Sequence, residues 1–398
     1  MISRKVYIVG MGQTKRGFFP DQDWRALLFD AYSEAIQECK LDPKEIGHVW
    51  FGFYPATASH QFTASHSVVD ALGLSTQVGC TVVEKACSSG GDAIHGGFVN
   101  IASGMDEVVL VAAAGKTADC LTGGFSALAD ENFMLAQVGI PAGLDRAVEG
   151  GGEAYLRRHV TEDDIYGLYY TWHWYATRHP NSMIYRQTFR TREEYDKIPY
   201  DVYPFRFGTA GSRFADGASA VLLASEEIAR RVTGKPVELA AVVTLDDAQL
   251  PSARSQYNPW KGGLVPMVVS AWEKAYEMAR VGPTDFDLFQ PHDNSPMKAW
   301  KHLEHIGHPE IKVGQAPGWY REGNALPGGK LPSATAGICR GGYVEACNPI
   351  DQLIENVRQL NGQAGERQVS IRKGVAAGIT STLRTIVHIV KAWGKENA

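Results

Sequence analysis

The sequence predicts an α/β protein made of two similar halves. Three observations carry that reading. Short apolar runs alternate along the chain with stretches whose apolar residues recur at helical spacing. The run Val108–Ala113 has no polar break, as expected of a central parallel strand buried on both faces. The segment V-E-K-A-C at 83–87 is echoed by V-E-A-C at 344–347. Each is followed by a helix-like stretch of about a dozen residues, and the matching placement reads as a duplication of about 190 residues per half, too long a period for a solenoid.

The elements follow in order. Val6–Gly10 reads as a strand. From Asp23 to Lys40, one face carries Trp24, Leu27, Leu28, Ala31, Ala35 and Ile36, which predicts a helix. Val49–Tyr54 reads as a strand, and Ala93 to Ala102 as a helix crowded with small residues. Its neighbourhood holds Gly90, Gly91, Gly96 and Gly97. Each costs about 1 kcal/mol of helix stability relative to Ala, which makes sense if the backbone packs very closely against another surface. In the second half, Val237–Val243 predicts a strand and Val265–Ala279 a helix. Phe286–Gln290 predicts a strand, followed by a loop opening P-H-D-N-S. Ile350–Leu360 predicts a helix, and Gly374–Val390 a strand, a turn and a strand.

An insertion interrupts the plan. It is Gly-rich early (Gly123, Gly124, Gly150, Gly151, Gly152), then strongly aromatic from Tyr166 to Ala176, and it ends in R-F-A-D-G-A-S-A-V-L-L-A. The domains expected are a first half of residues 1–116 plus 213–228, a cap of residues 117–212, and a second half of residues 229–398. The aromatic stretch is either the packed core of the cap or the wall of a pocket for a large or aromatic group, with Tyr170, Trp172 and Trp174 as its substrate-binding residues.

Bulk properties narrow the function. Of 398 residues, 44% are hydrophobic and 21% charged, with a net charge of −5. That composition is globular, and the charge argues against nucleic-acid or anionic-membrane partners. No apolar run approaches the roughly 18 residues of a membrane span, and the N-terminus enters a strand pattern too short in apolar residues for a signal peptide. The six cysteines (Cys39, Cys80, Cys87, Cys120, Cys339, Cys347) form no C-x-x-C pair. Reduced thiols in a cytoplasmic setting are expected, without a disulfide framework or a metal site in this chain.

Two residues stand out chemically. Cys87 follows a strand and precedes Ser88, Ser89, Gly90 and Gly91, which open a helix. A helix N-terminus lowers a thiol's pKa, and small neighbours leave room for a substrate to approach the sulfur. His292 lies just after a strand in F-Q-P-H-D-N-S-P. The ends of corresponding strands in a duplicated sheet converge at the junction of the halves.

With these residues in view, the sequence resembles the thiolase superfamily, nearest to the sterol-carrier-type thiolases and their archaeal and bacterial relatives. The resemblance covers nearly the whole chain. It rests on V-Y-I-V-G-M-G-Q-T-K-R-G at the start, V-E-K-A-C-S-S-G-G-D-A-I at the nucleophile, R-F-A-D-G-A-S-A-V-L after the insertion, Q-P-H-D-N, and L-N-G-Q-A-G-E-R-Q-V. It implies a thiolase fold, α/β and five-layered αβαβα, from two duplicated βαβαβαββ halves with a cap. It implies that Cys87 is the nucleophile, carrying the acyl group as a thioester, with His292 in an oxyanion hole or as base. Coenzyme A would be the co-substrate of a 3-oxoacyl-CoA cleavage. A Claisen condensation and a non-catalytic acyl-CoA-binding subunit are the alternatives. The pattern looks most like the large subunit of two-component thiolases, such as the benzoylsuccinyl-CoA thiolase of toluene breakdown. That implies a homodimer core and a small zinc-binding OB-fold partner subunit.

The sequence departs from the family at the usual base. Where a G-H-P histidine is expected, G-G-Y-V-E-A-C-N-P places Tyr343, and no histidine occurs between His308 and His388. Asn294 stands where H-D-C would supply a second cysteine. Cys347 is the candidate replacement acid/base, with Cys339 a weaker one; Glu345 acting through water, or His292 serving Cys87 directly, remain open. H-L-E-H-I-G-H at 302–308 lacks the carboxylate–histidine spacing of a zinc enzyme and reads as a solvated helix end. G-M-G-Q-T-K-R-G lacks the order of a phosphate-binding loop.

Overall fold

The computed structural model describes residues 4–54, 64–74, 78–116, 152–188, 191–202, 205–206, 212–246, 264–381 and 384–394. The first half runs β1 (Val6–Gln13), α1 (Trp24–Cys39), β2 (His48–Phe53), α2 (Ala64–Ala71), β3 (Gly79–Val83), α3 (Ser89–Ser103) and β4 (Val108–Gly115). The insertion holds α4 (Gly152–His159), α5 (Glu162–Ala176), α6 (Arg192–Asp196) and a ribbon of β5 (Tyr200–Val202) with β6 (Phe205–Arg206). The chain then forms β7 (Gly217–Ser225), α7 (Glu226–Val232), β8 (Val237–Asp246), α8 (Pro266–Ala279), β9 (Leu288–Gln290) and α9 (Pro296–His305). It closes with α10 (Ala316–Arg321), α11 (Ile338–Gly341), α12 (Asn348–Leu360), β10 (Val375–Ser381) and β11 (Arg384–Ala392). The glycines early in the insertion up to Gly151, and Cys120, lie outside the described residues.

Strands order as β3-β2-β4-β7-β1-β8-β11-β10-β9. The first five come from the first half and the last four from the second. Among the described residues, Tyr7↔Glu238 and Ile8↔Val237 join the two groups. β2 pairs in parallel with β3 and β4, and β9 with β10; the other pairs of this sheet are antiparallel. Beyond β9, where symmetry with β3 calls for another strand, the structure has an isolated bridge between Phe289 and Ser333.

Alternation along the strands divides the core into layers, because successive side chains point to opposite faces. Val49, Phe51 and Phe53 of β2, with Leu110 and Ala112 of β4, pack under α1 and α2. Val109 and Val111 of β4 turn the other way, onto Ala93, Ile94 and Phe98 of α3. Ile350, Leu353 and Ile354 of α12 join that same cluster, so α3 and α12 form the central layer. Across it, Ala377 and Ile379 of β10 and Val387 of β11 face α8 and α9. The result is helix, sheet, helix, sheet, helix.

The small residues of α3 have the expected use. A Cβ on Gly90 would lie 2.3 Å from the Ala346 carbonyl oxygen just before α12, and one on Gly91 2.3 Å from Ile386 Cδ1 of β11. The glycines let the helix following Cys87 touch the second half. A buried ion pair ties the same junction, Arg16 with Asp351 at 2.5 Å; within the first half, Lys116 pairs with Asp216 at 2.9 Å, both side chains fully buried. Among the described residues, no helix is long and apolar enough to cross a membrane.

Candidate active site

Cys87 sits in a tight turn between β3 and α3. Ala86 before it has φ 49°, a left-handed conformation that a residue with a Cβ rarely adopts. Ser89 braces the turn: its hydroxyl donates to Ala86 O at 2.7 Å and accepts from Lys85 N at 2.8 Å. The sulfur is thereby held at the start of α3, where the first N–H groups and the helix dipole favour a thiolate. Cys87 is 5% exposed.

His292 arrives from the other half. β9 and β10 pair in parallel with Gln290 beside Gly378, so the loop leaving β9 passes the end of β10. There His292 Nδ1 lies 2.9 Å from Ser381 O. Ser381 N also approaches Nδ1, at 3.3 Å; the shorter contact to the carbonyl oxygen assigns the ring proton to Nδ1 and leaves Nε2 as an acceptor. Tyr343 fills it: its hydroxyl lies 2.8 Å from His292 Nε2 and donates to it. Tyr343 is pinned by its backbone, accepting from Ala215 N at 3.0 Å and donating to Arg213 O at 2.6 Å. The same hydroxyl is hydrogen-bonded to Cys87. Phenol therefore stands between thiol and imidazole, uniting residues from three distant parts of the chain.

Burial sets the charge states. Desolvation holds the Tyr343 phenol well above its usual value, and the neighbouring Cys87, Glu345 and Asp293 push the same way. Desolvation also holds His292 well below 6.5, aided by the positive charge of Lys298. At neutral pH the pair is a neutral phenol on a neutral imidazole. The surroundings are apolar: Ala336 and Ile338 are buried with Cys87 and Tyr343, and Phe214 packs against them. The Phe214 ring meets Tyr343 edge-on at 5.8 Å.

Other sequence candidates fall elsewhere. Cys347 is corrected as an acid/base. Its thiol is fully buried and contacts Ala113 O at 3.3 Å and Gly217 O at 3.8 Å, and burial pushes it up to about 12. A thiol held on backbone carbonyls in this way is poorly placed to exchange protons with Cys87. The side chain of Cys339 lies outside the described part of the structure. Glu345 is buried close enough for its charge to act on Tyr343. Asn294 lies in the same loop as His292; its main-chain oxygen accepts from Ser212 N at 3.2 Å.

The aromatic stretch divides. Trp172 is corrected as a pocket wall: it is fully buried in the core of the second half with Trp300 and Tyr320. Trp174 is half-buried under the Arg178 guanidinium, 4.2 Å from its ring. Tyr170 does line a cavity of about 380 Å³, with Tyr166, Arg192, Tyr320 and Leu326. The solvated helix end is also corrected. His302 and His305 of α9 are both buried. Trp300, Lys301, Leu303 and Glu304 are buried as well, so the helix is enclosed on every side, which its polar residue types hid in the sequence. Among the described residues, no group of three metal-ligating side chains gathers.

Comparison with known proteins agrees with this framework. The thiolase N-terminal domain model matches residues 6–117, and the thiolase C-terminal domain-like model residues 258–391. An acetyl-CoA acetyltransferase of Methanothermobacter thermautotrophicus is 26% identical over 389 residues, covering 96% of each chain. Benzoylsuccinyl-CoA thiolase subunit BbsB of Thauera aromatica is 24% identical over 372 residues, covering 92% of each. Among solved structures, the Ltp2-ChsH2(DUF35) aldolase superposes with a TM-score of 0.80 at 18% identity over the full length of both chains, a likeness of fold. With both domain models matched in order across the duplicated core, the chain belongs to the thiolase superfamily and is an acyltransferase of that family.

Proposed function

We propose that this protein cleaves a 3-oxoacyl-CoA with coenzyme A through a thioester on Cys87. The observation that carries the reading is the Tyr343 hydroxyl hydrogen-bonded to both Cys87 and His292 Nε2. In the first step the thiol proton passes to the Tyr343 oxygen as the phenol proton passes to His292 Nε2. The sulfur attacks the C3 ketone of the substrate. The tetrahedral alkoxide collapses, the C2–C3 bond breaks, and the departing enolate takes the proton back at C2 through Tyr343. Coenzyme A then attacks the Cys87 thioester, its thiol proton moving along the same pair, and releases the second acyl-CoA. Tyr343 thus replaces the family's histidine as acid/base, with His292 as the base behind it. Condensation is the same route reversed.

An aromatic substrate such as 2-benzoylsuccinyl-CoA, giving benzoyl-CoA and succinyl-CoA, is the finer form of this reading. It is supported by the Thauera relative and by the apolar rim of Phe214, Ala336 and Ile338 around Cys87, rather than by the aromatic helix. The names of BbsB and of the Ltp2-ChsH2(DUF35) aldolase support an assembly with a second component; a homodimer core and a small zinc-binding partner belong to the same proposal. So does a reducing, cytoplasmic setting, because the chemistry needs a free thiol.

The phenol–imidazole pair also favours a second reading. It can take the hydroxyl proton of a 3-hydroxyacyl-CoA, so that the C2–C3 bond breaks by retro-aldol chemistry to a carbonyl compound and an acyl-CoA. The fold likeness to an aldolase supports it. Intact-mass measurement after mixing with acyl-CoA separates the two. An acyl adduct on the wild type and none on Cys87→Ala supports the thioester route. Cleavage of a 3-hydroxyacyl-CoA that survives Cys87→Ala supports the aldol route.

A further inference from the structure

We propose that His302 is a positioning residue that holds His292 in place against Tyr343. The H-L-E-H-I-G-H segment has no part in the chemistry above, yet its first histidine lies directly behind the catalytic loop. His302 Nδ1 accepts the backbone N–H of His292 at 3.2 Å. The two rings are nearly parallel, 11° apart, with centroids separated by 6.1 Å. His302 is only 4% exposed, and α9, which carries it, is anchored by the Ser295 hydroxyl accepting from Lys298 N.

The loop at 291–295 has little regular structure to fix it. His292 is held at three points: Ser381 O on Nδ1, Tyr343 on Nε2, and His302 on its main chain. The first two orient the ring, and the third sets where the ring starts from. A buried N–H needs an acceptor, and a neutral imidazole with its proton on Nε2 is the tautomer that supplies one. Burial keeps His302 neutral, as this role requires. Without the acceptor the main chain of His292 shifts to find another, and the 2.8 Å contact to Tyr343 lengthens. The inference needs the Tyr343–His292 pair to act on Cys87, and so rests on the proposed active site.

The test compares His302→Asn, His302→Leu and His302→Gln. Asn places an oxygen where Nδ1 now sits; Leu fills the space without an acceptor; Gln moves the polar atoms outward to the Nε2 position. Two rates are read: alkylation of Cys87 by iodoacetamide, and acylation of Cys87 by acyl-CoA. Thermal melting of each variant is recorded alongside. The expected result is that Leu and Gln lower both rates about 10- to 100-fold, the effect of stranding a buried donor. Asn should stay within about threefold of wild type, and KM for acyl-CoA should be little changed in all three. Equal losses in all three variants, following melting temperature, would overturn the positioning role. So would wild-type rates in His302→Leu. A wild type that is alkylated but never acylated would sink the thioester reading, while the alkylation series alone would still decide the role of His302.

Discussion

Tyr343→Phe removes one oxygen atom and leaves the ring in its packed position. That atom stands between Cys87 and His292 Nε2, at 2.8 Å from the latter. In the proposed mechanism, its loss cuts the route by which the thiol proton reaches the imidazole. Proton transfer by a positioned group contributes about 10²- to 10⁴-fold. Because a thiol keeps much of its own nucleophilicity, the lower part of that range applies: acylation should slow about 10²- to 10³-fold, or about 2.7–4 kcal/mol at 1.36 kcal/mol per decade. The folding effect is smaller. His292 Nε2 is left buried without a partner, which costs about 1–3 kcal/mol, and removing a buried hydroxyl offsets part of that. Stopped-flow acylation with intact-mass readout, alongside thermal melting, separates the two effects. A variant that folds and acylates within about threefold of wild type would refute the relay.

Three further outcomes follow from the same geometry. Asp216→Ala removes the carboxylate paired with the fully buried Lys116 ammonium and leaves it donating to the Phe19 carbonyl without a counter-charge from Asp216, and should destabilise the fold by about 3–5 kcal/mol in urea titration, with Lys116→Met in the double variant recovering much of the loss; a loss below about 1 kcal/mol would contradict this. Phe214→Ala opens the rim beside Cys87, so the ratio of acylation rates for bulky over acetyl donors should rise about tenfold, and an unchanged ratio would remove Phe214 from the pocket wall. Stability should fall on acidification below about pH 6.5. Burial lowers His179, His292, His302, His305 (to about 4) and His388 (to about 3). The unfolded chain then binds protons that the folded chain refuses, at about 1.4 kcal/mol per pH unit for each group until its folded value is reached. The carboxyls of Asp92 and Glu304, raised by burial, act in the opposite sense and soften the slope. A urea midpoint that is flat between pH 7.5 and 5.5 would contradict the buried neutral histidines.

The sequence by itself determined the alternation of strands and helices, the duplicated plan and the placement of Cys87, because these are written in local signals. Val108–Gly115 is apolar enough to be read as a central strand, and Asp23 and Lys40 bracket α1, the one as a side-chain cap and the other in the left-handed conformation. A cysteine between a strand and a run of small residues marks a turn that something approaches. Tertiary structure alone decided what completes the site. Tyr343 was legible only as a residue standing where a histidine was expected; its bond to His292 spans 51 residues of sequence, and no periodicity records such a pairing. The same holds for the aromatic helix, whose Trp172 lies in the core while Tyr170, two residues earlier, reaches a cavity. Cys347 shows the limit from the other side. Its placement mirrors that of Cys87, yet its sulfur turns to Ala113 O and Gly217 O. Sequence symmetry places the backbone, while the direction and chemistry of a buried side chain depend on the neighbours that packing brings to it.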